Sequence, residues 1–249
     1  MNIEFLFAHG HTAFDVALVL FALLVMPLLA VSAGMRLRKK PLTQNSLIRR
    51  YWQTIVRGWV VVLVLLGGWH FYGRDFSALG LDWPIGFWGQ VGFAFVGIAV
   101  LAAVVQLLRL PKTLKPEDSA RYEKALAEVK IAPRNTRQLW VFLLVALTAG
   151  IWEELLYRGF LIWFLTPYIG LIGAVALSSI MFGIAHVYQS AFAIVRTALI
   201  GLVLAIAYVA SGSLWWVMAM HALIDVFGGL LAWRVGAIQR SAADAQAPA

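Results

Sequence analysis

The stretch Gly150-Ile151-Trp152-Glu153-Glu154-Leu155-Leu156-Tyr157-Arg158-Gly159 sets two adjacent carboxylates and a guanidinium inside an apolar run. That run begins near Leu139 and passes Leu165. If it crosses a bilayer, each charge costs about 2.5–3.5 kcal/mol near the middle of the helix. Glu154 and Arg158 are four apart, so on a helix they share a stripe and can pair. Glu153 points about 100° away, toward the stripe of Tyr157. A structural Glu–Arg pair that fixes helix packing accounts for one carboxylate and gives no reason for the second. The second carboxylate calls for partners elsewhere in the chain.

Composition sets the frame for that reading. Of 249 residues, 62% are hydrophobic and 13% charged, with mean hydropathy +0.83. Soluble domains carry roughly 25% charged residues. The expected fold is therefore all-α, a polytopic transmembrane helical bundle of about seven spans. The chain has no cysteine, which excludes disulfides, thiolate nucleophiles and Cys-ligated metal. Its net charge of +8 gathers in loops between apolar runs. That is the pattern of membrane topology and not of a nucleic-acid surface.

Seven apolar runs can be placed. Ala13 to Gly34 is long enough to span. It is too long for a cleaved signal peptide and lacks the basic segment that would precede one. The basic block from Arg36 to Arg50 follows and is expected in the cytoplasm, with the N-terminus outside. Tyr51 to Phe71 is the second span, with Trp52 at one edge and Trp69 and Tyr72 at the other, as an aromatic belt requires. Gly73 to Pro84 reads as a short outer loop, and Ile85 to Leu110 as the third span. These three make an N-terminal region, residues 1–110. In the linker 111–137, Pro116 followed by Glu117 and Asp118 marks a helix start. Tyr122, Leu126 and Val129 recur at helical spacing, so a short amphipathic helix ending at Pro133 is expected on the membrane surface.

Residues 138–236 hold four more spans, Gln138 to Trp163, Tyr168 to His186, Ala191 to Ala210 and Leu214 to Trp233. Residues 237–249 read as a disordered Ala-rich tail. The loop Ser211-Gly212-Ser213 forces neighbouring helices to be antiparallel and packed. Ser179 and Gly183 form a small-residue pair that permits close helix contact. This four-helix core is where the remaining intramembrane polar residues lie.

Those residues pair by spacing. Phe182 and His186 share a stripe, and so do His221 and Asp225. With Glu153 and Glu154, three helices can project carboxylates and imidazoles into one interior, as bundle sites do. At 1.5 Å per residue, Glu154, His186 and His221 each fall within about 10 Å of the middle of their spans. One such histidine reads as a packing hydrogen bond, and three converging polar helices read as chemistry. A carboxylate can act as general base on a water, with a histidine or with a metal such as zinc. A second histidine can stabilise an oxyanion. The chain has no HExxH, no GxGD and no GxSG. Two other classes stay open, a non-catalytic scaffold or immunity protein that keeps the polar core, and a cytochrome with His186 and His221 on a haem.

Glu153-Glu154-Leu155-Leu156-Tyr157-Arg158 matches EExxxR, Phe182 to His186 matches FxxxH, and His221 to Asp225 matches HxxxN/D. In order and spacing these resemble the CPBP family. That family groups the type II CAAX prenyl endopeptidases with bacteriocin-processing and immunity (Abi) proteins. The resemblance covers roughly the last 110 residues. It implies an intramembrane endopeptidase, a hydrolase of a membrane-associated peptide or protein. Carried over by position, Glu153 or Glu154 is the base, His186 helps to activate water, and Arg158 orients the glutamates. His221 and Asp225 hold the oxyanion or ligate. The family carries a metalloprotease label, and a glutamate–histidine pair has also been proposed to suffice. One divalent metal such as zinc, on Glu154, His186, His221 and Asp225, therefore stands beside a metal-free site. Asp225 occupies a position that is Asn in the prenyl endopeptidases. An ionised aspartate cannot donate a hydrogen bond, which favours a ligand or His-orienting role. The expected location is a bacterial cytoplasmic membrane, N-terminus out and C-terminus in, with a site near mid-membrane reached laterally or by a water-filled cleft.

Overall fold

A computed structural model describes residues 9–39, 43–83, 86–113 and 131–246. Among these the fold is helical, without strands. The helices are α1 (Ala13–Leu20), α2 (Met26–Lys39), α3 (Gln44–Phe71), α4 (Phe87–Thr113), α5 (Thr136–Glu154), α6 (Ile162–Ile184), α7 (Ala191–Ser211) and α8 (Leu214–Gln246). A π-helical turn, Phe21–Val25, joins α1 to α2, and a second, Leu155–Leu161, joins α5 to α6. Side chains cap the starts where the chain leaves a loop. Thr12 and Asp15 form a capping box at α1, and Thr43, Asn135 and Ser190 cap α3, α5 and α7. Each satisfies an amide that the helix itself leaves unpaired.

Six helical stretches are long and apolar enough to cross a membrane. One of them, Thr136–Ile184, has 49 residues. Run straight it would measure about 74 Å, more than twice the hydrocarbon thickness. It reverses at Gly170, where φ is 70° and ψ 164°. That region is open to glycine and essentially closed to other residues. Ser178 Oγ then donates to the Tyr157 carbonyl at 2.6 Å, across the two arms of the hairpin. Among the described residues this stretch is thus a hairpin of two unequal arms, where the sequence predicts seven separate spans. The reversal falls at Gly170 and not between Trp163 and Tyr168, because the helix absorbs Pro167 in its last turn before the glycine.

The four-helix core is built from α5 on α8 and α6 on α7, with α3 packed on α5 and α4 on α8. The segment between α3 and α4 is more than a loop. Its 3-10 helix Phe76–Leu79 inserts Leu79, fully buried, against Gly159. Trp69 is also fully buried, so it does not belong to an aromatic belt. Its indole Nε1 donates to the Asp75 carbonyl at 2.9 Å, and Arg74 lies over its ring. Arg74 in turn makes two 2.6 Å contacts with buried Asp15. His11 and Tyr168 Oη are hydrogen-bonded at 2.7 Å, and burial pushes the His11 imidazole below its ordinary value. The N-terminal region is thereby tied to the far end of the core hairpin.

Two further expectations change. Helix α6 ends at Ile184, and His186 lies in the turn that follows. Helix α8 continues through Ser241 to Gln246, over most of the tail that composition marks as disordered. The alanines there favour helix continuation once the preceding turns are formed. The amphipathic helix expected between Pro116 and Pro133 falls on 114–130, outside the described residues.

A Gly170→Ala substitution should therefore destabilise the protein by about 1–3 kcal/mol through backbone strain. Gly228, inside α8 where an added Cβ meets nothing, supplies the control: Gly228→Ala should leave the thermal midpoint in detergent unchanged or raise it slightly through helix propensity. Equal midpoints for the two variants would remove the constraint at Gly170.

Candidate active site

The site forms where α5 passes α8. At Gly150 a Cβ would come within 2.7 Å of the Met218 carbonyl and 2.9 Å of Ala222. Only a residue without a side chain allows that approach, and one helical turn later the approach delivers Glu154 to His221. Glu154 Oε1 accepts from His221 Nδ1 at 2.6 Å and from Arg158 Nη1 at 2.9 Å. All three side chains are buried. Arg158 also donates through Nη2 to the Gly201 carbonyl at 3.1 Å. A Cβ at Gly201 would meet that same Nη2 at 2.9 Å. The Arg158 guanidinium lies over the Phe182 ring, 4.1 Å from its centre. The expected Glu154–Arg158 pairing is present, although Arg158 lies in a π-helical segment. Such segments concentrate at functional sites, where one extra residue per turn re-aims side chains.

Glu153 diverges from Glu154 as the 100° step requires. Its side chain is 12% exposed. Oε2 is buried and has no hydrogen-bond partner. His186 Nε2 stands 3.8 Å from that oxygen and His221 Nε2 3.9 Å. The opposite nitrogens are both committed. His186 Nδ1 meets the Phe182 carbonyl at 2.8 Å, which makes Nδ1 the donor and leaves Nε2 with its lone pair toward Glu153. His221 Nδ1 donates to Glu154. Asp225, 39% exposed, places Oδ2 3.7 Å from His221 Nε2. Glu154 therefore orients His221, and Asp225 stands on the open side of the ring.

The structure brings together all six residues singled out by spacing: Glu153, Glu154, Arg158, His186, His221 and Asp225. They do not form the four-ligand metal set Glu154, His186, His221 and Asp225. Among the described residues no three or more His, Asp or Glu side chains are disposed to hold a metal ion. Glu154 Oε1 is engaged twice, and one of its partners is a guanidinium, whose charge repels a cation. A haem between His186 and His221 is disfavoured by Glu153, which faces both Nε2 atoms. Sequence spacing passes over Gly150, Gly201 and Ser178, which act through backbone contact or to a backbone carbonyl. The FxxxH spacing does hold Phe182, whose ring also lies edge-on to Tyr157 and His221.

This geometry occupies a segment that a family model matches. Residues 135–227 match the family described as type II CAAX prenyl endopeptidase Rce1-like. That match supports CPBP family membership for the part of the chain that carries the site. At family level the match supports a CAAX-type intramembrane protease, and the six apolar helices support an integral membrane protein. No curated protein and no solved structure matches the chain.

Removing Arg158 leaves the buried Glu154 carboxylate without its guanidinium partner and held by His221. Arg158→Met should cost about 3–5 kcal/mol, the range for breaking a buried ion pair on one side. Adding Glu154→Gln should recover part of that loss. A thermal-unfolding double-mutant cycle in detergent reads the coupling, and strictly additive effects would dissolve the pair.

Proposed function

We propose that the chain is an endopeptidase that hydrolyses a peptide bond in a membrane-associated peptide or protein, with Glu153 as general base. The observation that carries this reading is the unpartnered Glu153 Oε2, 3.8 Å and 3.9 Å from the Nε2 atoms of His186 and His221. One water at about 2.8 Å from Glu153 Oε2 and His186 Nε2 can donate a hydrogen to each. Its lone pairs then face outward, toward a carbonyl carbon. As the water oxygen attacks, its proton passes to Glu153. A tetrahedral intermediate forms, with negative charge on the former carbonyl oxygen. His221, held at Nδ1 by Glu154, can donate from a protonated Nε2 to that oxygen. The C–N bond then breaks, and the proton on Glu153 leaves with the amine. Glu154 and Arg158 act as positioning residues. Asp225 supports the proton on His221 from the mouth of the site. No step here passes through a metal, because the donor set does not fit one.

A quenched fluorescent peptide carrying a farnesyl thioether, presented to protein in phosphatidylcholine nanodiscs, tests the reading. Glu153→Gln and His186→Ala should each lower kcat by at least about 10²-fold, the scale of general base catalysis. Both variants should stay inserted and monodisperse. Turnover should survive exhaustive chelation. Loss on chelation with recovery on zinc would overturn the metal-free route, and near-normal turnover of Glu153→Gln would remove the base.

For orientation we keep the basic-loop reading, with the His186 turn and the end of α8 on the cytoplasmic side. A cysteine at Ser46, in a chain with none of its own, should be protected from an impermeant thiol reagent in intact cells. Labelling there would invert the topology.

A further inference from the structure

The turn after α6 carries a hydroxyl that the proposed reaction does not use. Residues 185–190 join α6 to α7 and are held at both ends. Val187 N donates to the Ile184 carbonyl and Gln189 N to the His186 carbonyl, each at 3.0 Å. Ser190 caps α7. Gly34 of α2 closes on the same turn, where an added Cβ would stand 3.1 Å from the Tyr188 Cα. Although Tyr188 lies outside the helices, its backbone is thus fixed by α6, α7 and α2.

Tyr188 is half-buried, and its ring lies 5.9 Å from that of His186, centre to centre. The charged neighbours of its hydroxyl are Glu153, Asp225 and Arg50. Arg50 adds no acceptor. Glu153 and Asp225 are the two carboxylates that meet the open nitrogens of His186 and His221. The accepting side of the hydroxyl is already engaged. Gln189 Nε2 donates to Tyr188 Oη at 3.4 Å, and Gln189 Oε1 accepts from Arg196 Nη2 at 3.4 Å. The second contact sets which way the Gln189 amide faces. A tyrosine hydroxyl has one hydrogen to give. With the amide on one lone pair, that hydrogen stays available on the side of Glu153 and Asp225.

We propose that the Tyr188 hydroxyl is a further catalytic group, which donates its hydrogen to the carbonyl oxygen of the scissile bond as that oxygen gains negative charge. This rests on the endopeptidase reading, in which His221 alone serves that oxygen. Donors stabilise an oxyanion most when they are already in place, because no reorganisation is then needed. The turn that carries His186 holds Tyr188 in that way. The movement of charge favours the contact as well. Before attack, the Glu153 carboxylate draws the hydroxyl hydrogen. Once Glu153 has taken the proton from water, the oxyanion is the stronger acceptor. The contact therefore strengthens toward the transition state, which is the condition for raising kcat. The hydrogen is shared and not transferred, so the proton count of the reaction is unchanged.

The test reads turnover and binding separately, with protein in phosphatidylcholine nanodiscs. One probe is the quenched farnesylated peptide. The other is the same peptide with a phosphinate in place of the scissile amide, a stable tetrahedral anion that stands for the intermediate. Tyr188→Phe keeps the ring and removes the hydroxyl alone. It should lower kcat by about 10²-fold, the scale for one oxyanion donor, with KM and the thermal midpoint unchanged. Phosphinate affinity should fall by about the same factor. Equal phosphinate affinity in the two proteins, or none in either, overturns the proposal. So does a loss of rate that a lowered thermal midpoint accompanies. A raised KM with kcat kept assigns the hydroxyl to substrate binding and overturns it too. Absence of cleavage by the unaltered protein sinks the endopeptidase reading, and the phosphinate comparison still decides whether Tyr188 is the donor.

Discussion

One oxygen of the buried Glu154 carboxylate is held by both Arg158 and His221, and the arrangement of the core follows from that double contact. A charge taken out of water costs several kcal/mol unless it is paired and hydrogen-bonded. Here Glu154 lies opposite a guanidinium that is itself tied to the Gly201 carbonyl and seated on Phe182. The contact joins α5, the π-helical turn, α6, α7 and α8 through five side or main chains. It also sets the tautomer of His221. With Nδ1 on Glu154, the other ring nitrogen is turned to Glu153.

The second glutamate can stay unpartnered because the first absorbs the fixed charges. Adjacent residues on a helix diverge by about 100°, so Glu153 and Glu154 look into different spaces. Glu154 faces the packed interior. Glu153 faces the gap bounded by two imidazoles and, beyond them, Asp225. Small residues make this possible by letting backbones touch where side chains would hold them apart. Gly150 does so between α5 and α8, and Gly201 opens its carbonyl to Arg158.

The opposite end of the bundle uses the same physics for a structural purpose. Asp15 and Arg74 form a buried bidentate pair, with Arg74 also over the rings of Trp69, Tyr72 and Trp163. This clamp fixes α1 and the segment before α4 to the hairpin that carries Glu153 and Glu154. The N-terminal helices are thereby held against the hairpin that carries the site.

The sequence by itself determined that the chain is a helical membrane bundle, because so few charges in so apolar a chain leave helices as the way to satisfy the backbone. It also determined the six polar residues, since each is costly in an apolar span and its spacing sets a shared stripe. The tertiary structure decided the division of labour among them. Whether Glu153 or Glu154 is the free carboxylate depends on the rotation of α5 against α8. Whether Asp225 or Glu154 orients His221 depends on the same contact. The place of the Gly170 reversal and the burial of Trp69 likewise depend on long-range packing. Periodicity along one helix fixes which residues share a face, and only the neighbouring helix fixes what that face meets.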